Sequence, residues 1–274
     1  MTSFVRRMHE LIEPIHLTVL FAEEPNEQLY ELGLRDNYWD GYFAGRAAPL
    51  GLARAATVHA IFYNFQPEEV ARHIPYVWEH TTPEQALEAR LTGVVAALRR
   101  ILGDLAEDPR VASTAETMER AALSAPPEGR PLYAALAALP CPQEPVARLW
   151  HAATLLREHR GDGHTIALVT EGVGGTEAHA LHALSEGMPA AKFGRIHHLP
   201  KRTLEVVADS MRARGLIDDE GWLTDEGRAT KQRVEDLTDR LALPAYAVLG
   251  DADRRHLLAD LEPISSKLQA AGSR

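Results

Sequence analysis

From Thr82 to Gly103 the chain carries one unbroken helical stripe, and no other stretch limits its possible folds so strongly. Thr82 suits the N-cap position, Pro83 follows at the first helical position and Glu84 lies in the first turn. Ala86, Leu87, Leu91, Val94, Val95, Leu98 and Leu102 then recur at intervals of three and four. Such a stripe must be covered by a core or by a partner subunit. The same period returns in Phe4, Met8, Leu11, Ile12 and Ile15, which predict a helix over 4–34 with Pro14 marking a kink, and in Val146, Leu149, Trp150, Ala153 and Leu156, which predict one over 145–160. Further helices are expected over 50–65 as a buried element, then over 67–80, 108–124 and 131–139. The fold class is therefore mainly α.

Punctuation divides this helical material. APPEGRP at 125–131 and PCPQEP at 140–145 are the clearest breaks, and 274 residues suit two lobes, so the chain is expected to comprise lobes 1–143 and 144–274. Gly161 and Gly163 interrupt the helix that begins at 145. Further helices are expected over 164–172, over 177–186 behind a Thr176 cap, over 200–215 and over 224–241, with 187–200 irregular. Between the last two, GLIDDEGWLTDEG at 215–227 places a tight acidic turn between Leu216–Ile217 and Trp222–Leu223. That order predicts a short β-hairpin wing running into an N-cap at Thr224, and makes the second lobe winged-helix-like.

Charge limits the partners. The net charge of −10 opposes sequence-independent attraction to phosphate backbones or anionic membranes. Residues 146–274 carry 17 Lys+Arg against 19 Asp+Glu, leaving 12 against 20 for the rest, so the acidity sits mostly in the first half. On the candidate recognition helix, Lys201, Arg202, Arg212 and Arg214 share space with Glu205 and Asp209, and Asp218, Asp219 and Glu220 stand at the tip of the expected wing. DNA is thus an unlikely partner. The single cysteine, Cys141, excludes an internal disulfide, no secretory signal pattern opens the chain and no run of apolar residues is long enough to span a bilayer. A cytoplasmic setting is expected.

Two resemblances attach to these residues. Gly215–Gly227 looks like the wing of MarR-type winged-helix proteins. EPIHLTVLFAEE at 13–24, YFAGRAAPLG at 42–51, FYNFQPEEV at 62–70, EHRGDGH at 158–164 and LTDRLALPAY at 237–246 resemble the actinobacterial SalK-like helix-turn-helix proteins, almost end to end. These resemblances imply architecture more than activity.

The candidate chemistry gathers around His159–Leu184, which holds four of the 13 histidines and five glycines. His159, Asp162 and His164 form the proposed catalytic set: a carboxylate that fixes a histidine tautomer lets the imidazole act as base or ligand contact. Neighbouring glycines would let the backbone approach a bound molecule. The bland alternative has these histidines capping helix ends. No metal signature matches their spacing, although haem or a divalent metal would suit an enzyme built on them. In the first lobe, residues 36–51 read as a packed turn whose Arg46 needs an anionic partner, internal or bound. His59 and Tyr63 recur on one helical face with Asn64 next in line, and His16 shares a face with Glu13. A short match between the segments starting at Pro83 and Pro200 suggests duplicated lobes with a cleft between them. The leading expectation is that Arg46, His59, Tyr63, Asn64 and His16 bind a small apolar or aromatic molecule in that cleft, with homodimerisation through terminal helices.

Overall fold

The computed structural model describes residues 2–35, 38–194, 196 and 198–272. Helix α1 spans Thr2–Phe21 and α2 spans Glu23–Tyr30, so the single helix expected over 4–34 breaks at Ala22, whose backbone is extended, and not at Pro14, which stays inside α1. The aromatic stretch at 36–51 is a helix, α3 (Tyr38–Ala47), followed by a short 3-10 turn, where a packed turn was expected; Asp36 and Asn37 lie outside the described residues. Asp40 fixes this helix. It is fully buried, its carboxylate accepts from Arg35 Nε at 2.6 Å and Nη2 at 2.8 Å, and His73 Nδ1 lies 2.5 Å away. The helix expected over 50–65 is shorter, α4 (Ala55–Phe62), and buries only Val58 and Phe62. After α5 (Pro67–His73) and α6 (Tyr76–His80), α7 (Pro83–Leu102) starts where its cap predicts, with Thr82 Oγ1 accepting from the Gln85 amide at 3.2 Å. Then come α8 (Pro109–Leu123) and α9 (Pro131–Ala137).

The largest departure from expectation is α10, which runs without interruption from Pro145 to Thr170, through both Gly161 and Gly163. Each helical glycine costs about 1 kcal/mol relative to alanine. Packing against α1, α7, α8, α9 and the later α13 (Asp225–Ala242) outweighs that cost, because α10 buries residues on every side. Gly163 faces a buried neighbour. A Cβ there would sit 2.2 Å from Arg130 Nη1, which donates to the His159 carbonyl while Nη2 donates to the Leu241 carbonyl at 2.8 Å. The glycine marks a buried arginine's entry, not a helix end.

Beyond α10 lie α11 (Gly175–Ser185), α12 (Lys201–Ala213), α13 and α14 (Asp251–Gly272). Two apolar cores result. One is built from α1 to α9, the first half of α10, and α14; the other gathers Ala167 and Leu168 at the end of α10 with Leu181, Met211, Ile217 and Val234. Helix α10 passes from the first into the second.

The expected β-hairpin wing is not formed. Among the described residues there are no strands, and the 215–224 segment holds only an isolated antiparallel bridge between Ile217 and Leu223. The reason is length and docking. Asp218 N donates to the Trp222 carbonyl at 2.9 Å and Trp222 N to Asp218 Oδ1 at 2.8 Å, closing the turn before a ladder can develop. Its base is pressed against α13: a Cβ on Gly227 would lie 2.1 Å from the Leu216 carbonyl oxygen. Thr224 does cap α13, accepting from the Gly227 amide at 3.1 Å. The second half is therefore helical, without a winged-helix hairpin.

Candidate functional site

A cavity of about 600 Å³ opens between the two cores. Its walls come from the end of α1 (Leu20, Phe21), from α3 (Tyr38, Trp39, Tyr42, Arg46), from α4 and the turn after it (Ile61 to Phe65), and from α10, with His179 and Phe193 on the far side. The rings of α3 and of the turn after α4 pack edge to face, Trp39 with Tyr42 at 5.4 Å between centroids and Trp39 with Phe65 at 5.8 Å, so this wall is a preformed aromatic surface.

The α10 contribution follows from its phase. Arg157, Glu158, Gly161, Asp162, His164 and Thr165 line the cavity, the set expected when one continuous helix turns a face inward every three to four residues. His159 falls outside this face. Arg157 and Glu158 escaped notice in the sequence because they are charged residues at the end of the expected helix 145–160, and Glu158 lies off its apolar stripe of Val146, Leu149, Trp150, Ala153 and Leu156, on the side that reads as polar.

Glu158 is the electrostatic centre. It is 2% exposed, with Arg46 Nη2 at 3.4 Å, Arg157 Nη1 at 3.1 Å and His16 Nε2 at 3.8 Å. Burial alone would raise its pKa, but Arg46, Arg157 and His16 hold the carboxyl well below the usual carboxylate range. Arg157 also reaches Glu13 at 3.3 Å, whose carboxyl is brought down to about 2 against the opposing effect of burial. Arg46 thus has the internal anionic partner its apolar sequence context demands. It also donates to the Tyr42 hydroxyl at 2.6 Å and lies over the Phe62 ring at 4.6 Å. Behind this cluster lies an inner chamber of about 20 Å³, lined by His16, Arg46, Arg90 and Glu158 and sharing Tyr42, Arg46, Leu132 and Glu158 with the main cavity. Arg90, which is not part of the apolar stripe of α7, is buried there.

The eight residues singled out in the sequence separate. Arg46, Tyr63, Asn64, Asp162 and His164 line the main cavity and His16 the inner chamber, whereas His59 and His159 line neither. His159, Asp162 and His164 do not bond to one another. Asp162 Oδ2 accepts from the Leu132 and Tyr133 amides at 3.1 and 3.0 Å, capping α9. His164 Nδ1 lies 3.0 Å from Thr238 Oγ1, and the His159 ring packs edge-on to Tyr133 at 5.0 Å. Among the described residues no three histidine, cysteine or acidic side chains are grouped so as to hold a metal ion.

Tyr63 sits at the cavity lip in a rare conformation, with φ of 37°, and the Asn64 amide bonds back to the Phe62 carbonyl in a tight three-residue turn. The Tyr63 hydroxyl donates to the Val173 carbonyl at 2.6 Å. A Cβ on Gly175 would lie 2.2 Å from the Tyr63 carbonyl oxygen, so the strained turn is clamped against the start of α11.

A family model described as a helix-turn-helix family matches residues 5–274, and the chain therefore belongs to that family. No curated protein and no solved structure matches it. No helix among the described residues is long and apolar enough to cross a membrane.

The buried histidines set the pH response. Burial pushes His16 down to about 3 and His9, His151, His159 and His164 to about 4, so between pH 6.5 and those values the unfolded chain binds more protons than the folded one. Stability conferred by their neutral state is present above pH 6.5 and lost as pH falls through that window. Asp162, raised to about 6 mainly by burial, works in the opposite sense, but it is one group against five. Urea unfolding is expected to show stability falling by several kcal/mol, as an order of magnitude, between about pH 6.5 and 4. His16→Gln should flatten the decline, whereas a pH-independent midpoint would contradict the neutral buried histidines.

Proposed function

We propose that this member of the helix-turn-helix family is a small-molecule-binding protein whose ligand, an apolar or aromatic compound, occupies the cavity between its two cores. One observation carries the reading: a cavity of about 600 Å³, a size typical of ligand sites, has rigid aromatic walls and a floor of fixed charged groups. Such a site fits a ring by stacking and orients it by a few polar contacts. Four of the five sequence words that resemble the SalK-like proteins support it, because they meet at or beside this place. Glu13 and His16 lie in the first, Tyr42 and Arg46 in the second, Phe62 to Phe65 in the third, and Glu158 to His164 in the fourth. Catalysis by a His–Asp set gains no support, since Asp162 is engaged by backbone amides and His164 by Thr238.

The same reading gives α12 no phosphate-docking role. Lys201 lies 3.5 Å from Glu205, Arg212 2.9 Å from Asp209 and Arg214 2.9 Å from Glu177, so three of the segment's cations already face acids. The acids Asp218, Asp219 and Glu220 remain exposed in the neighbouring turn. A phosphate backbone docked there would meet cations facing acids and exposed carboxylates. An electrophoretic shift with genomic fragments at low salt should show no sequence-selective retention; selective retention would make a ligand-responsive transcriptional regulator the better reading.

Thermal-shift screening of a library of one- and two-ring aromatic compounds should yield members that raise the melting temperature of the wild-type chain. Thr165→Phe, which directs a ring into the cavity from α10, should fold with an unchanged circular-dichroism spectrum and lose those shifts. Shifts that persist in the folded variant would place binding elsewhere.

A further inference from the structure

The charges around the inner chamber do not balance. Three guanidinium groups, Arg46, Arg90 and Arg157, stand against two carboxylates, Glu13 and Glu158, and burial keeps His16 neutral near pH 7. Arg46 and Arg157 each have a carboxylate partner. Arg90 has none among the described residues: it is 5% exposed, its Nη1 donates to the Gly45 carbonyl at 2.6 Å, and its guanidinium carbon lies 4.9 Å from the Trp150 ring centroid. Its other donors have no hydrogen-bond partner among the described residues, and Arg46 Nε is buried without one. A guanidinium taken out of water normally requires a paired anion. Burial accordingly lowers Arg90 to about 10.

Arg90 and Arg46 both line the chamber of about 20 Å³, room for one water-sized atom such as one oxygen of a carboxylate. Tyr42, Arg46, Leu132 and Glu158 border both this chamber and the aromatic cavity. We propose that the ligand is an aromatic monocarboxylate, with one carboxylate oxygen in the inner chamber accepting from Arg90 and Arg46, and its ring against the aromatic wall. This rests on the small-molecule reading above. One added negative charge brings the cluster to three cations and three anions. A dianion would overshoot, and a neutral ring would leave Arg90 unpaired. Glu158 borders the chamber too, but Arg46 and Arg157 already engage its oxygens, which limits its repulsion of a second carboxylate.

Isothermal titration of the full chain tests this with matched pairs: 3-phenylpropanoate against 3-phenylpropanamide, and 1-naphthoate against 1-naphthamide. The acids should bind at least about tenfold more tightly than the amides, the scale of a charge-assisted hydrogen bond. Arg90→Gln should narrow that difference, while Thr165→Phe should abolish binding of acid and amide alike. Equal binding of acid and amide to the wild-type chain overturns the carboxylate inference and leaves the cavity reading standing. Binding of neither overturns both, and an acid preference that persists in Thr165→Phe overturns the placement. The wild-type comparison decides the matter even if Arg90→Gln fails to fold.

Discussion

The arrangement of the whole molecule depends on Glu158, a carboxylate removed from water in the middle of the longest helix. It meets Arg46 from α3 and Arg157 from α10, with His16 from α1 close by, while Arg157 continues to Glu13 on α1. Buried ion pairs of this kind add little net stability relative to an apolar core, but removing one partner costs about 3–5 kcal/mol, because the other charge is left stranded. The consequence is positional. Helices α1, α3 and α10 cannot slide past one another without stranding a charge, so the cavity they enclose keeps its shape. The Asp40 network and the clamped Tyr63 turn hold the aromatic wall in the same way from outside.

Much of the helical framework was legible in the sequence. The Thr82 and Thr224 caps mark the starts of α7 and α13 as expected, since a cap is a local interaction that needs no knowledge of the rest of the chain. The failures share a cause. Gly161 and Gly163 were read by local propensity, yet burial on all sides carries α10 through them, and Gly163 leaves room for the Arg130 guanidinium. The Gly215–Gly227 pattern satisfied the composition of a hairpin, but Asp218 closes the turn too early and Gly227 docks its base on α13, so only one bridge forms. Long-range packing overruled a short-range signal in both cases.

The candidate site was legible in part for the same reason. Arg46 was identifiable because a cation among small apolar residues must have an anion, and Tyr63 and Asn64 because they follow an aromatic helical face. Glu158 and Arg157 were missed although they adjoin His159, since the apolar stripe of 145–160 leaves Glu158 on a side that reads as polar and only the folded chain turns that side to a cavity. Histidine density was a poor guide: His159 lines neither cavity and packs on Tyr133 with both ring nitrogens buried and unbonded, and His164 bonds to Thr238. Arg90 could not be recognised from spacing, because its isolation from carboxylates exists only in three dimensions.

The central claim is that the cavity between the cores is made to be occupied. Native mass spectrometry of the full chain mixed with its best-binding aromatic compound tests it most directly, because it counts bound molecules per chain. One small-molecule adduct per chain, absent after denaturation and absent from Thr165→Phe, is the predicted result. A bare wild-type chain, or an adduct that Thr165→Phe retains, would contradict the account.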